Sequence, residues 1–238
     1  MISLETRQLS RRFGGVHAVQ ELDFTVQEGE VIGLIGPNGA GKTTLLNLLA
    51  GADIPDAGSI YFEGRDITRW PSWKRARAGL IRTFQHGRTF ANLSVTENLL
   101  VGGHTQNHVD VAALLAPFGD RLLPRADQPA YLFSYANRRR IEIARALAAK
   151  PRVLLLDEPT AGMNPVETSE ILEFLKGLKA KGLTMIVVEH KLPLILPLAD
   201  RVIVLDHGAK LAEGAPLDIP RDPKVIAAYL GTRGHYAG

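Results

Sequence analysis

The first third of the chain, up to about residue 84, is dominated by short apolar runs separated by glycine-containing turns such as Glu28-Gly29-Glu30 and Glu63-Gly64-Arg65. That pattern predicts strands over residues 4–9, 19–26, 31–35 and 59–62. From residue 85 the apolar positions recur near the helical period, which predicts helices over 95–102, 110–116 and 138–149. Beyond residue 150 the two patterns alternate. Strands are predicted over 153–156, 185–188 and 202–205, and helices over 166–179 and 192–197. A hairpin-like pair at His207-Gly208 and a helix over 223–230 close the chain. Such alternation argues for a parallel α/β sheet. The organisation expected is one domain, with residues 1–85 and 151–238 forming a core and residues 86–150 a helical insert. An insert there suits a subdomain that reports the state of the core to something else.

Chemistry enters at the turn after the third predicted strand, Gly36-Pro37-Asn38-Gly39-Ala40-Gly41-Lys42-Thr43-Thr44. It fits G-x-x-x-x-G-K-[ST] and lies between a buried strand and a helix, where that pattern makes physical sense. A chance match arises about once in a hundred chains of this length. Gly36, Gly39 and Gly41 let the backbone curl round a phosphate with its N–H groups inward. Lys42 would set an ammonium between β- and γ-phosphates, and Thr43 would ligate Mg²⁺. The following helix would aim its positive end at the anion. The expected ligands are ATP and Mg²⁺.

The apolar run Val153-Leu154-Leu155-Leu156 ends in Asp157-Glu158. An acid at the C-terminal end of a parallel strand sits where such sheets bind ligands. Asp157 is therefore a candidate Mg²⁺ ligand, and Glu158 a candidate to polarise the attacking water. Val187-Val188-Glu189-His190 repeats the geometry, so His190 is expected to reach the γ-phosphate.

Composition adds limits. A chain of 238 residues with 45% apolar content builds a sizeable core. A net charge of +3 is too small to argue for nucleic acid. The arginine clusters Arg75/Arg77 and Arg138–Arg140 read equally as solvated helix faces or as partner surfaces. With no cysteine there is neither a disulfide framework nor a cysteine metal site. The amino terminus lacks signal-peptide character, and no apolar run reaches the roughly 18 residues of a membrane helix. The chain is expected to be soluble, or held at a membrane through another protein.

Taken in order, these motifs resemble the ATP-binding subunits of ABC transporters, over essentially the whole chain. The fold implied is a P-loop α/β core with a parallel sheet, an N-terminal antiparallel β subdomain and an inserted helical subdomain. Gln85 resembles the family's Q-loop glutamine, which contacts Mg²⁺ and water. Phe13 lies where an aromatic ring stacks on adenine, Ala161-Gly162-Met163-Asn164-Pro165 resembles the D-loop, and His190 the switch histidine. Arg11-Arg12-Phe13-Gly14-Gly15, Arg82-Thr83-Phe84-Gln85, Asn98-Leu99-Leu100-Val101 and the tail Ala228-Tyr229-Leu230-Gly231 look like the branched-chain amino acid importers. The resemblance implies ATP hydrolysis driving solute uptake at the cytoplasmic face of a bacterial inner membrane. It also implies a second ATPase subunit, transmembrane permease subunits and, indirectly, a solute-binding protein. Related cassettes serve urea, amides and lipopolysaccharide export, so the solute stays open. Two rivals are a soluble ATPase of DNA repair or translation, whose basic segments or long inserts are not visible, and a low-turnover regulatory partner cassette.

The family signature departs from its usual form. Phe133-Ser134-Tyr135-Ala136-Asn137 stands for Leu-Ser-Gly-Gly-Gln, a segment that grips the ATP of the opposite subunit. Ser134 keeps the hydroxyl, Asn137 is one methylene short, and Ala136 replaces a glycine. Either Ala136 has helical dihedrals and is tolerated, or the signature is weakened and Ala136→Gly would raise activity; a positive φ would cost about 1 kcal/mol. His104 and His108, without supporting carboxylates, read as a polar loop. Trp70-Pro71-Ser72-Trp73 reads as a packed turn or a partner contact.

Overall fold

A long antiparallel hairpin, β1 (Ile2–Phe13) and β2 (Val16–Gln27), begins the chain in a computed structural model that describes residues 1–83 and 89–231. Both strands run past the predicted apolar segments. Their ladder continues out to Phe13 opposite Val16, where Gly14 takes the positive φ of 57° that a tight reversal needs. β3 (Val31–Ile35) then leads through the glycine-rich loop into α1 (Lys42–Ala50). β4 (Ala57–Phe62) and β5 (Arg65–Asp66) complete a first sheet of order β2-β1-β4-β5.

α2 (Ser72–Ala78) and the three-residue β6 (Leu80–Arg82) follow. β6 is too short to carry a periodic signal and went unpredicted. The insert contributes α3 (Val95–Gly102), α4 (Val111–Leu115) and α5 (Tyr135–Ala148), joined by short 3₁₀ turns. α3 starts at a capping box in which Ser94 and Glu97 satisfy each other's backbone N–H. α5 starts three residues before the predicted helix, because the Ser134 hydroxyl accepts the Asn137 N–H at 3.3 Å and caps it there. The rest is β7 (Val153–Asp157), α6 (Pro165–Ala180), β8 (Thr184–Val188), α7 (Leu192–Ile195), β9 (Arg201–Asp206), β10 (Ala209–Gly214) and α8 (Pro223–Gly231).

The second sheet has the order β10-β9-β3-β8-β7-β6, parallel except for β10 on its edge. Every residue of β3, β7 and β8 is buried, as strands covered on both faces must be. Val31 and Ile35 join a core shared with α3, α5, α6 and α7, while Ile32 and Leu34 join one shared with α1 and the first sheet. Each fully buried Leu or Ile contributes about 1.5–3 kcal/mol. The central strand β3 is thereby fixed from both sides, and the loop at its end inherits that rigidity. Among the described residues no helix is long and apolar enough to cross a membrane.

Candidate active site

The glycine-rich loop wraps a lysine. Lys42 donates to the carbonyl oxygens of Gly36 (2.7 Å) and Pro37 (2.8 Å), drawing the loop into a ring. Two of its glycines are obligatory: a Cβ on Gly36 (φ 149°) would meet Leu205 O at 2.1 Å, and one on Gly41 (φ 100°) would meet Ala18 O at 2.1 Å. Gly39, at φ 80°, faces open space and leaves the backbone accessible. Asn38 is exposed, Pro37 half-buried and Ala40 buried against the core; Thr43 and Thr44 open α1, with Thr43 exposed. Burial pushes the Lys42 ammonium below its ordinary pKa, and the charges of Glu158 and Asp157 oppose that shift.

Those carboxylates stand at the end of β7, two strands from β3. Asp157 is completely buried and pairs with Arg82 at 2.9 Å, and Arg82 also donates to Asn47 of α1. The other oxygen of Asp157, Oδ1, has no hydrogen-bond partner among the described residues, nor does the buried hydroxyl of Thr83. A buried carboxylate oxygen left open suits a ligand carrying positive charge or a proton. Glu158 has a left-handed backbone, φ 47°, and its N–H donates to Val188 O at 3.0 Å. Its Oε1 lies 2.5 Å from Nε2 of the exposed His190, which follows β8. Lys42, Asp157, Glu158 and His190 therefore share one end of the sheet.

Phe13 is 47% exposed at the hairpin tip, with the Arg11 guanidinium 4.7 Å from its ring centroid. The loop borders the nearby start of β2, through Ala18 O against Gly41. Ser134, Ala136 and Asn137 sit at the N-terminus of α5 in the insert. Ala136 is buried in the core and lies within the helix, absent from the positive-φ residues. Of the two alternatives for this position, the helical one is found: the helix already gives Ala136 a backbone that alanine tolerates. The Asn137 amide oxygen accepts from Arg140 at 2.7 Å, and Arg140 pairs with Glu170 of α6 at 2.7 Å. Gln85 lies outside the described residues.

Several site-related residues carried no sequence signal. Glu189, buried, accepts the Thr160 hydroxyl (2.6 Å) and N–H (3.2 Å) beside Glu158; burial raises its carboxyl above the usual range. The arginine clusters also need correction. Arg75 is buried and donates to Leu48 O (2.6 Å), Leu49 O (2.8 Å), Thr68 O (2.9 Å) and Trp70 O (3.0 Å), with its pKa lowered by burial to about 10. Arg139, equally buried, pairs with Glu142 at 2.6 Å and donates to the carbonyls of Asp157 and Glu158. Neither a solvated face nor a partner surface describes these side chains. Arg75, Arg139 and Arg140 are internal struts, whereas Arg77 is exposed and Arg138 half-buried.

A loop closed round a lysine beside two strand-end acids is the arrangement of a P-loop fold. Comparison with known proteins specifies it further. The ABC transporter family model matches residues 19–161, and a model described as "Branched-chain amino acid ATP-binding cassette transporter" matches residues 209–235. The chain belongs to the ABC transporter family, as an ATP-binding subunit that hydrolyses ATP. It is 38% identical to the high-affinity branched-chain amino acid transport ATP-binding protein BraF of Pseudomonas aeruginosa, over 96% of this chain and 97% of that one. It is 39% identical to LivG of Salmonella typhimurium, a high-affinity branched-chain amino acid transport ATP-binding protein, with the same coverage. Among solved structures it is similar to the ADP conformation of MJ1267, an ATP-binding cassette of an ABC transporter, with TM-score 0.86, 31% identity, and 97% and 99% of the two chains covered.

Proposed function

We propose that the chain powers uptake of branched-chain amino acids or similar small solutes, by binding ATP–Mg²⁺ at the Gly36–Thr44 loop and hydrolysing it against Glu158. The observation that carries this reading is the convergence of Lys42, Asp157, Glu158 and His190 at one sheet end, in a chain so similar to BraF and LivG. Thr43, Asp157 and Gln85 are the residues that would hold Mg²⁺, and the open Oδ1 of Asp157 fits that role. When bound, the cation offsets phosphate charge. Lys42 and the loop amides stabilise charge developing on the γ-phosphate, and Phe13 packs on the base. Glu158 takes a proton from, or orients, the attacking water, with His190 holding the carboxylate and the γ-phosphate in one geometry.

The N-terminus of α5, with Ser134 exposed, Asn137 beside it and Ala136 packed beneath, faces the nucleotide of a second cassette, so hydrolysis needs a dimer. Closure of that dimer moves the insert of residues 86–150, which drives permease subunits at the cytoplasmic face of the membrane. Two assays test this together. The purified chain should hydrolyse ATP in Mg²⁺ and stop in chelator. A strain lacking the gene should lose uptake of labelled leucine and regain it from the wild-type gene only. Uptake of leucine unaffected by the deletion would reject the solute while leaving the ATPase standing.

A further inference from the structure

Resting on that reading, we propose that Arg139 is a positioning residue for Glu158, tying the helix that faces the opposite cassette to this cassette's own general base. Glu158 is a non-glycine residue at φ 47°, a conformation that persists only where its surroundings over-determine it. Its backbone is held on both sides of the Cα. On one side its N–H donates to Val188 O at 3.0 Å. On the other its carbonyl accepts from Arg139 Nη2 at 3.2 Å, and the same nitrogen donates to the carbonyl of Asp157. The strand ladder fixes the first anchor. The second belongs to the insert.

Arg139 has little freedom of its own. It is 1% exposed, and Glu142, one turn along the same helix and also 1% exposed, holds its other nitrogen at 2.6 Å. The guanidinium is therefore locked to α5, whose first residues follow the Ser134 cap. A shift of α5 that accompanies engagement of the opposite nucleotide carries Arg139 with it. The carbonyls of Asp157 and Glu158 follow, and with them the carboxylate 2.5 Å from His190. The base of each cassette is set by the state of the site that the same cassette completes for its partner. A fork is required for this, because one nitrogen pair must reach carbonyls and carboxylate together.

Two variants of the full chain test the coupling. Arg139→Met with Glu142→Gln removes both charges at similar volume, leaving no unpaired buried ion. Arg139→Lys keeps the charge opposite Glu142 but loses the fork. Melting temperature, affinity for a fluorescent ATP analogue and steady-state turnover are measured for each. The expected result is kcat lowered about tenfold or more in the double variant and less in Arg139→Lys, with KM and nucleotide affinity within about twofold of wild type. Wild-type turnover in either folded variant would overturn the proposal. So would a loss of affinity parallel to the loss of turnover, since Arg139 would then be a strut alone. If the double variant does not fold, Arg139→Lys decides. A wild-type chain that binds ATP without hydrolysing it would instead refute the assignment of Glu158 as base and this proposal with it.

Discussion

Ala136→Gly separates two accounts of the altered signature. If the position needed a glycine backbone, the substitution would relieve strain and raise turnover. The structure gives the opposite sign. Ala136 is in the first turn of α5, has no positive φ, and is only 4% exposed within the insert's core. Glycine in a helix costs about 0.5–1 kcal/mol through backbone entropy, and an early position sets the lower end. Losing a buried methyl costs about 0.8 kcal/mol more. The sum, about 1.3 kcal/mol, corresponds at 2–4 °C per kcal/mol to a melting temperature lower by about 3–5 °C. The assay is a thermal melt of wild type and variant, with ATP turnover measured well below both midpoints. A variant that melts at or above wild type and turns over faster would refute the reasoning.

Replacing Glu158 by Gln should slow hydrolysis by about 10²–10⁴-fold, the usual contribution of a general base, while ATP still binds in a filter or fluorescence assay. Lys42→Met removes a charged donor worth about 1.5–3 kcal/mol and should weaken ATP binding about 10–150-fold, measured by titration with a fluorescent analogue. Arg75→Met takes the Arg75 donor from the carbonyls of Leu49, Thr68 and Trp70, while Leu48 O keeps the Gly51 N–H at 3.2 Å. At about 1–3 kcal/mol for each buried unmet acceptor it should lower stability by 3 kcal/mol or more, seen as an earlier denaturant midpoint. Glu189 has its carboxyl raised in the folded state by burial, so the folded protein binds the extra proton and stability falls as pH rises through that raised value. Glu189→Gln should therefore melt higher than wild type above that window. The advantage should disappear as pH drops towards the ordinary carboxylate range.

Strands β3, β7 and β8 were legible because a strand buried on both faces must be a continuous apolar run. The loop and the pair Asp157-Glu158 were legible because phosphate chemistry restricts both residue type and spacing. Arginines were not. Arg75 works on carbonyls of Leu48 and Leu49, and Arg139 on carbonyls of Asp157 and Glu158, so their burial depends on segments distant in the chain. A cluster of cations looks the same in sequence whether it meets water or a set of backbone acceptors. The dihedrals of Ala136 were undecided for a related reason, since Ser134 sets where α5 begins and the hydroxyl's partner is a backbone N–H. The hairpin of β1 and β2 outran its apolar pattern because backbone pairing, not burial, extends it.

The strand order of the second sheet bears on how the protein is born. β3 carries the phosphate loop, yet its two neighbours are β8 and β9, made from residues 184–188 and 201–206. While the ribosome is still adding those residues, the loop's strand has no ladder partner on either edge. Leu205, whose carbonyl walls in Gly36, is also still to come. The N-terminal hairpin and β4 pair with each other and can collapse early, but the nucleotide cradle forms only after nearly nine-tenths of the chain has left the tunnel. A chain stopped short of β9 therefore cannot complete the cradle, and ligand-assisted stabilisation waits until that strand has been made.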